Sequence, residues 1–155
     1  MLYTARNTHK GVCSSKSKRS KLLTIGLCAN KIHKQSSKCV TQMLQEFGQA
    51  IALIDSTFRV PYGCCAFHKM RDCIRDNSSN KCDSNDADAF DAHIQNMAGN
   101  TLRFLCTDYD EDEAGDKCNK VMSLKFDSKL TKTPTSIIQA FGELLALDAK
   151  LKGQS

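Results

Sequence analysis

The cysteines of the stretch YGCCAFHKMRDC, residues 62–73, have the clearest capacity for chemistry in this sequence. Cys64 and Cys65 are adjacent, and Cys73 follows eight residues after Cys65. Thiols in such an arrangement can bind a metal, act as a nucleophile or redox centre, or form disulfides. Each of these roles makes a different demand on the rest of the chain.

The distribution of the cysteines favours disulfides. Nine cysteines occur among 155 residues, well above ordinary usage, and they are spread through the whole sequence. Such a spread is typical of disulfide-bonded extracellular proteins, whereas a zinc site groups its ligands locally. We therefore predict four disulfides, formed by Cys28, Cys39, Cys64, Cys65, Cys73, Cys82, Cys106 and Cys118. The ninth cysteine, Cys13, has no predicted partner.

Cys65 and His68 are the pair that best fits a metal-binding or catalytic interpretation. Their spacing resembles half of a zinc site, but a zinc site needs a second pair of ligands, which the sequence does not supply. A nucleophile pair needs an orienting third group and an oxyanion hole, and no motif indicates either. We therefore expect no catalytic residue, no metal site and no cofactor.

Two further motifs fall in predicted loops. Asp108, Asp110 and Asp112 alternate like the first ligands of an EF-hand calcium loop, but Glu113 stands where that loop needs glycine. A solvated acidic loop is the better interpretation. Asn77 begins the N-S-S pattern of a glycosylation site, within a polar stretch that we predict to be an exposed loop. Asn77 is therefore a candidate glycosylation site if the protein is secreted.

Helices are the elements that must position these cysteines. A first long helix is predicted from the apolar stripe Val40, Met43, Leu44, Phe47, Ile51, Ile54 and Phe58. The stretch VPYG at 60–63 should end it, because proline and glycine favour a turn. A second helix is predicted over 64–75, with Phe67, Met70 and Ile74 inward, and a third from 85 or 86 to 106.

Two more helices complete the predicted fold. A short helix is expected around 118–124. The last should begin with Thr133 as its cap and Pro134 at its first position, with an inward stripe of Ile138, Phe141, Leu145 and Leu151. The sequence thus predicts an all-α, disulfide-stapled bundle of about five helices.

The helix lengths divide the cysteines into two groups. A first helix of ~20 residues is ~30 Å long, so it separates Cys39 from Cys64 and Cys65 by far more than the ~7 Å that a disulfide spans between Cα atoms. The third helix runs back and delivers Cys106 beside the adjacent pair. We therefore expect one group of Cys64, Cys65, Cys106 and Cys118 and another of Cys28, Cys39, Cys73 and Cys82. The pairing within each group is left open.

Charge divides the chain differently. Residues 1–38 hold nine Lys or Arg and no acid, whereas the remainder holds 13 Lys or Arg against 17 Asp or Glu. We predict a basic, weakly ordered N-terminal arm over 1–34, dispensable for folding, and a stapled helical domain over 35–155. No conventional signal peptide is readable at Met1, since the apolar part of KSKRSKLLTIGLCAN begins more than twenty residues into the chain. No run of eighteen apolar residues predicts a membrane span.

At YGCCAFHKMRDC and GNTLRFLCTDY, the chain resembles cysteine-rich helical secreted proteins of arthropods, a group without characterised function. The resemblance covers about residues 39–118 and rests on the CC-x₇-C arrangement and the later leucine–cysteine–acidic stretch. It implies a secreted, disulfide-bonded helical domain with no assigned chemistry.

Two functional hypotheses follow. The first is a secreted, non-enzymatic module that binds a protein or a small apolar ligand, for which Met43, Met70, Met97 and Met122 on the inward stripes are candidate lining residues. Methionine fills a solid core equally well. The second is a binder of nucleic acid or another anionic surface through the basic arm. Because no aromatic residues are interleaved for base stacking, nucleic acid is the disfavoured partner. The sequence does not indicate the oligomeric state.

Overall fold

The computed structural model describes residues 15–109 and 114–152, without the side chains of residues 97–104, 108, 114, 115 and 147–152. Its helices are α1 (Lys16–Ile51), α2 (Arg59–Ser79), α3 (Ser84–Leu105), α4 (Ala114–Met122) and α5 (Ile137–Lys152). Short 3₁₀ turns occupy Ser56–Phe58 and Thr107–Tyr109. The only β contact in the described part is an isolated bridge between Leu53 and Phe126. The predicted all-α, disulfide-stapled bundle of about five helices is confirmed.

The chain is divided into two compact units. The first unit comprises the described residues among 1–37 and 71–103, and the second those among 38–70 and 104–155. Each unit has its own apolar interior and its own disulfide bonding.

The part of the first unit's interior that the structure describes is crosslinked by a disulfide. Its buried apolar residues come from three helices and are Cys28, Ile32, Ile74, Ala87 and Ile94. A disulfide joins Cys28 to Cys82, with 5.6 Å between the Cα atoms. This covalent link closes a separation of 54 residues and adds to the stability that the buried side chains provide.

The interior of the second unit is built around Phe47. The Phe47 ring is fully buried and packs edge-on against Phe141 of α5, with ring centroids 4.7 Å apart and an interplanar angle of 71°. Edge-to-face geometry is favoured because the positive ring edge meets the negative face. Other buried apolar residues of this unit include Met43, Leu53, Tyr62, Phe67, Met70, Val121 and Leu144. The inward placement predicted for Phe67 and Met70 is confirmed, as is that of Ile74 in the first unit.

Gly63 permits close packing in this interior. A Cβ atom at Gly63 would lie 2.8 Å from Leu144 Cδ1 and 3.1 Å from Phe47 Cε1, both closer than ordinary van der Waals contact. Gly63 lies inside α2. Its small size therefore serves close packing, and not the turn that the sequence predicts at this position.

The N-terminal part of α1 differs from the predicted arm. Residues 16–34 are helical, and the predicted boundary between 34 and 35 falls inside the continuous helix Lys16–Ile51. Cys28 and Ile32 are 1% and 0% exposed. The sequence analysis weighed the charge of this segment and not its helical periodicity, so it did not recognise Cys28 and Ile32, four residues apart, as one buried face. Residues 1–14, including Cys13, lie outside the described part of the chain.

The link between α1 and α2 lies earlier in the chain than predicted. α1 ends at Ile51, and Ile54 and Phe58, expected on its inward stripe, lie beyond it and are 73% and 37% exposed. The 3₁₀ turn is capped by Asp55, whose carboxylate accepts hydrogen bonds from the backbone N–H and the hydroxyl of Thr57. α2 then begins at Arg59, so the turn predicted at 60–63 is wrong. Pro61 is compatible with this start, because first-turn N–H groups need no helical acceptor.

α5 begins three residues after the predicted start. Ser136 caps it by accepting a hydrogen bond from Gln139 N at 3.2 Å, and Gln139 Oε1 accepts one from Thr135 N at 3.1 Å. This reciprocal arrangement resembles a capping box and satisfies two N–H groups at once. Thr133, the predicted cap, is exposed, and Pro134 is buried.

The buried face of α5 also differs from the predicted stripe. Ala140 and Leu144 are buried and Phe141 contacts Phe47, whereas Ile138 and Leu145 are 64% and 37% exposed. The side chain of Leu151 lies outside the described part. Most residues near the start of this helix are apolar, so two neighbouring stripes had the same periodicity and only packing chose between them.

We predict that G63A destabilises the protein by about 1–3 kcal/mol, because the added methyl group overpacks the contact with Phe47 and Leu144. Urea unfolding followed by circular dichroism measures this as a lower midpoint. G142A is the matched control: a Cβ there meets nothing within 4 Å, and alanine is favoured over glycine by roughly 0.5–1 kcal/mol inside a helix. An unchanged or raised midpoint for G63A would contradict the packing described.

Candidate functional site

All eight cysteines predicted to form disulfides are disulfide-bonded. The pairs are Cys28–Cys82, Cys64–Cys106 and Cys65–Cys118, while Cys39 and Cys73 are also bonded. Each of these three pairs joins two members of one predicted group, and neither Cys64 nor Cys65 bonds to Cys39. The helix-length argument therefore separated the cysteines correctly in these pairs.

The adjacent cysteines reach different partners because successive helical side chains point about 100° apart. On α2, Cys64 is joined to Cys106, just after α3, and Cys65 to Cys118 on α4, with Cα separations of 5.3 and 5.5 Å. A sulfur in a disulfide is neither a thiolate ligand nor a nucleophile. The Cys65–His68 pair is therefore a site of neither kind. Within the described residues, no group of three or more His, Cys, Asp or Glu is placed to hold a metal.

The methionines predicted to line a ligand cavity are mostly in the interior of the second unit. Met43 and Met70 are 1% and 5% exposed, and Met122 is half-buried. The side chain of Met97 lies outside the described part of the chain. Burial of this degree is usual in a close-packed core, so a lining role stays a prediction.

Asn77 is not in a loop. It lies in the last turns of α2, is half-buried, and its amide Nδ2 donates to the carbonyl oxygen of Cys73 at 2.6 Å. Ser78 similarly donates its hydroxyl to the carbonyl oxygen of Arg75 at 2.8 Å. Side-chain bonds to the preceding turn let a polar stretch remain helical. Glycosylation of Asn77 stays a prediction and requires this helix end to open.

The acidic residues considered for calcium fall largely outside the description. Asp110, Asp112 and Glu113, and the side chain of Asp108, are not among the described residues. Tyr109 closes a 3₁₀ turn by donating its N–H to the carbonyl oxygen of Cys106 at 3.0 Å.

A buried carboxylate, Glu46, organises polar contacts in the second unit. It is 8% exposed and accepts hydrogen bonds from Lys69 Nζ at 2.6 Å and Gln42 Nε2 at 3.1 Å. Nearby, the Tyr62 hydroxyl donates to Gln49 Oε1 at 2.7 Å. Burial, and secondarily the negative charge of Glu46, raises the pKa of Tyr62 above its ordinary value. Tyr62 therefore remains a protonated donor, and the cluster joins α1 to α2.

A second buried ion pair, Arg71 with Asp91, joins α2 to α3 in the first unit. Arg71 Nε and Nη2 donate to the two carboxylate oxygens of Asp91, each at 3.0 Å, and Gln95 Nε2 donates to Asp91 Oδ2 at 2.9 Å. Burial alone raises the pKa of Asp91, but these hydrogen bonds and the positive charges of Arg71 and Arg75 outweigh it, so the pKa lies below its ordinary value. Bidentate geometry of this kind is strong and directional.

An exposed apolar surface lies where two loops of the second unit meet. Asp127 N donates to the carbonyl oxygen of Ala52 at 2.9 Å, and Ile54 N to that of Lys125 at 3.5 Å, on either side of the Leu53–Phe126 bridge. Ile54, Phe126 and Leu130 are 73%, 37% and 61% exposed. We call these three residues the apolar loop surface.

The apolar loop surface is held in place on both sides. Leu130 N donates to the carbonyl oxygen of Asp127 at 3.0 Å, which fixes the turn that carries it. Further along the same loop, the backbone of Lys132 approaches α1 so closely that a Cβ at Gly48 would lie 2.8 Å from its carbonyl oxygen. Exposed lysines surround the apolar residues, namely Lys125, Lys129 and Lys132.

Sequence reasoning missed this surface. It assigned Ile54 to the inward stripe of the first helix and attached no role to residues 125–132. Ile54 is far in sequence from Phe126 and Leu130, and only the loop-to-loop hydrogen bonds bring the two segments together. The sequence pattern that could have indicated this surface is KFDSKLTK, in which Phe126 and Leu130 each follow a lysine. The same pattern also fits an ordinary solvated loop.

No protein family, curated protein or solved structure matches this chain. The resemblance to arthropod proteins therefore stays an expectation. In the part of the chain that the structure describes, every helix is too short or too polar to cross a membrane.

We predict that D91N lowers the free energy of unfolding at pH 7 by about 1–2 kcal/mol, the size expected for a charged hydrogen bond that solvent partly screens. Since the pKa of Asp91 is lower in the folded chain, its contribution is present above the unfolded value of about 3.9 and is lost as pH falls through the folded value. Urea unfolding between pH 7 and pH 2 should therefore show less acid destabilisation in D91N than in the wild type.

D88N is the matched control for this experiment. Asp88 is an exposed acid on the same helix, so its replacement removes the same charge without removing the ion pair. We expect a change within about 0.5 kcal/mol at pH 7. Equal effects of D88N and D91N would show that overall charge, and not the contact with Arg71, determines the pH dependence.

Proposed function

We propose that the protein is a secreted, non-enzymatic binding module that recognises a partner protein through the apolar loop surface. The observation that supports this is that three large apolar side chains, Ile54, Phe126 and Leu130, are exposed on two loops that backbone hydrogen bonds join. Single exposed apolar side chains are normal, but clustered ones on a fixed backbone are typical of interaction sites.

The compartment follows from the disulfides. Four disulfide pairs form in this chain, and such bonds persist in oxidising compartments and are rare in the cytosol. They indicate an oxidising, extracellular environment. Secretion is part of the proposal, and it fits a small domain that needs covalent links to add to a limited core.

A partner at the surface fits better than a small ligand inside. Phe47 and Leu144 lie so close to Gly63 that even a Cβ there would overlap them, which supports a solid centre in the second unit. Met43 and Met70, the candidate lining residues of the same unit, are almost fully buried. Internal binding would need these side chains to separate, whereas the apolar loop surface is already exposed.

The apolar loop surface has the chemistry of an interface centre with a charged rim. Ile54 and Phe126 lie on segments joined by backbone hydrogen bonds, so binding needs little further ordering of the chain. Lys125, Lys129 and Lys132 lie on the same loop as the exposed Asp127, so charged groups of both signs border the apolar residues and can pair with complementary charges on a partner. Glu46 is bonded to Lys69 and Arg71 to Asp91, so each of these charged groups already has a partner within the fold, which supports a non-enzymatic role.

We predict that I54S/L130S weakens binding of the partner at least tenfold, because two apolar contacts at an interface centre are lost. The wild type and the variant are used in parallel to isolate proteins from native extracellular fluid, and the dissociation constant of any purified candidate is then measured for both. I138S is the matched control, since Ile138 is similarly exposed, at 64%, but lies on α5.

Three outcomes would contradict the proposal. Equal affinity of the wild type and I54S/L130S for every candidate would exclude the apolar loop surface. An equal loss in I138S would show general surface stickiness. Saturable, stoichiometric binding of a fatty acid or fluorescent apolar probe by delipidated protein, unchanged by I54S/L130S, would favour an internal small-ligand site in place of a protein partner.

A further inference from the structure

The N-terminal half of α1 carries apolar side chains on its solvent side. Leu23 and Leu27 are 71% and 65% exposed. They are one helical turn apart and so form a continuous apolar strip. The buried residues of this segment, Cys28 and Ile32, lie about 140° away around the helix axis, at 100° per residue. The leucines therefore face away from the interior of the first unit.

Lysines extend this strip at both ends. Lys16 and Lys34 lie at the same angle around the helix as the midpoint between the two leucines, and Lys31 is about 60° from it. All three lysines are exposed. We call Lys16, Leu23, Leu27, Lys31 and Lys34 the cation–leucine face, which is ~27 Å long at ~1.5 Å per residue.

The charge along this segment of α1 is of one sign. Six Lys or Arg occur between Lys16 and Lys34, and the first acidic residue of the whole chain is Glu46. The charged side chains that the segment itself presents therefore attract anions. The same segment contains no Phe, Tyr or Trp that stacks on a nucleic-acid base.

We propose that the cation–leucine face docks flat on the surface of a bilayer that contains anionic phospholipid. The occupant must offer negative charge at both ends and an apolar environment between them. A free polyanion, such as heparin or nucleic acid, supplies the charge but no apolar phase. An anionic bilayer supplies both, since its phosphates lie beside the upper part of its acyl chains.

The structure of this segment keeps the free-energy cost of docking low. The helix is already formed over Lys16–Ile51, so binding does not have to order it. The disulfide from Cys28 to Cys82 holds the segment one residue after Leu27, on the side away from the leucines. The leucines can therefore enter the headgroup region while the core contacts of Cys28 and Ile32 remain in place.

The test measures binding of the full-length, disulfide-intact protein to sedimented vesicles. We expect binding to vesicles of phosphatidylcholine with 30% phosphatidylserine (roughly the anionic content of charged leaflets) and little binding to pure phosphatidylcholine. Binding should weaken as salt rises from about 50 to 500 mM, because salt screens the attraction between lysines and phosphates.

Two pairs of variants examine the face itself. L23Q/L27Q should reduce the partition coefficient at least tenfold, because the apolar contribution of two leucines is lost. I138Q, an equally exposed apolar residue on α5, is its control and should change it little. K16Q/K31Q should also reduce it about tenfold or more. K18Q/K21Q removes the same charge from positions about 140° or more from the face and should have a clearly smaller effect.

Several results would overturn the proposal. Equal losses in K16Q/K31Q and K18Q/K21Q, or no loss in L23Q/L27Q, would mean that net charge attracts the protein without this face. Binding to heparin or single-stranded DNA, with none to the anionic vesicles, would assign the face to a polyanion. Normal circular dichroism in each variant shows that the helices remain folded. I54S/L130S should bind vesicles like the wild type, so this test and that of the partner protein fail independently.

Discussion

The pair of disulfides that leaves α2 from Cys64 and Cys65 is the constraint on which the second unit depends. These bonds close loops of 42 and 53 residues, to Cys106 and Cys118, from two successive positions on one helix. A native disulfide in a small secreted domain contributes about 2–5 kcal/mol, against a total stability of about 5–15 kcal/mol. The covalent framework is therefore comparable in importance with the apolar core around Phe47.

Polar contacts add to the disulfides and the apolar core by fixing how neighbouring helices align. Glu46 with Lys69, and Arg71 with Asp91, each join α2 to a neighbouring helix within one unit. Lys69 is half exposed, whereas Arg71 and Asp91 are mostly buried, so the second pair depends more strongly on both partners being present. Such pairs specify how helices align more than they add to stability.

Covalent stabilisation also changes what the surface can carry. A domain that does not rely on burying every apolar residue can keep leucines and isoleucines exposed without losing its fold. Two groups of exposed apolar side chains are present, the apolar loop surface in the second unit and the cation–leucine face in the first. Both combine apolar side chains with lysines, and the loop geometry of one and the helical periodicity of the other fit different kinds of partner.

The sequence by itself determined the helical class, the eight bonded cysteines and the two cysteine groups, because periodicity and helix length are local properties of the chain. It also placed Phe47 and Met70 in the interior. It did not find the helix over 16–34, whose core residues are only Cys28 and Ile32, nor the buried face of α5, where two stripes are equally apolar. Only the tertiary structure decided these two features, the packing role of Gly63 and the bridge between Leu53 and Phe126, because each depends on contacts between segments distant in the chain.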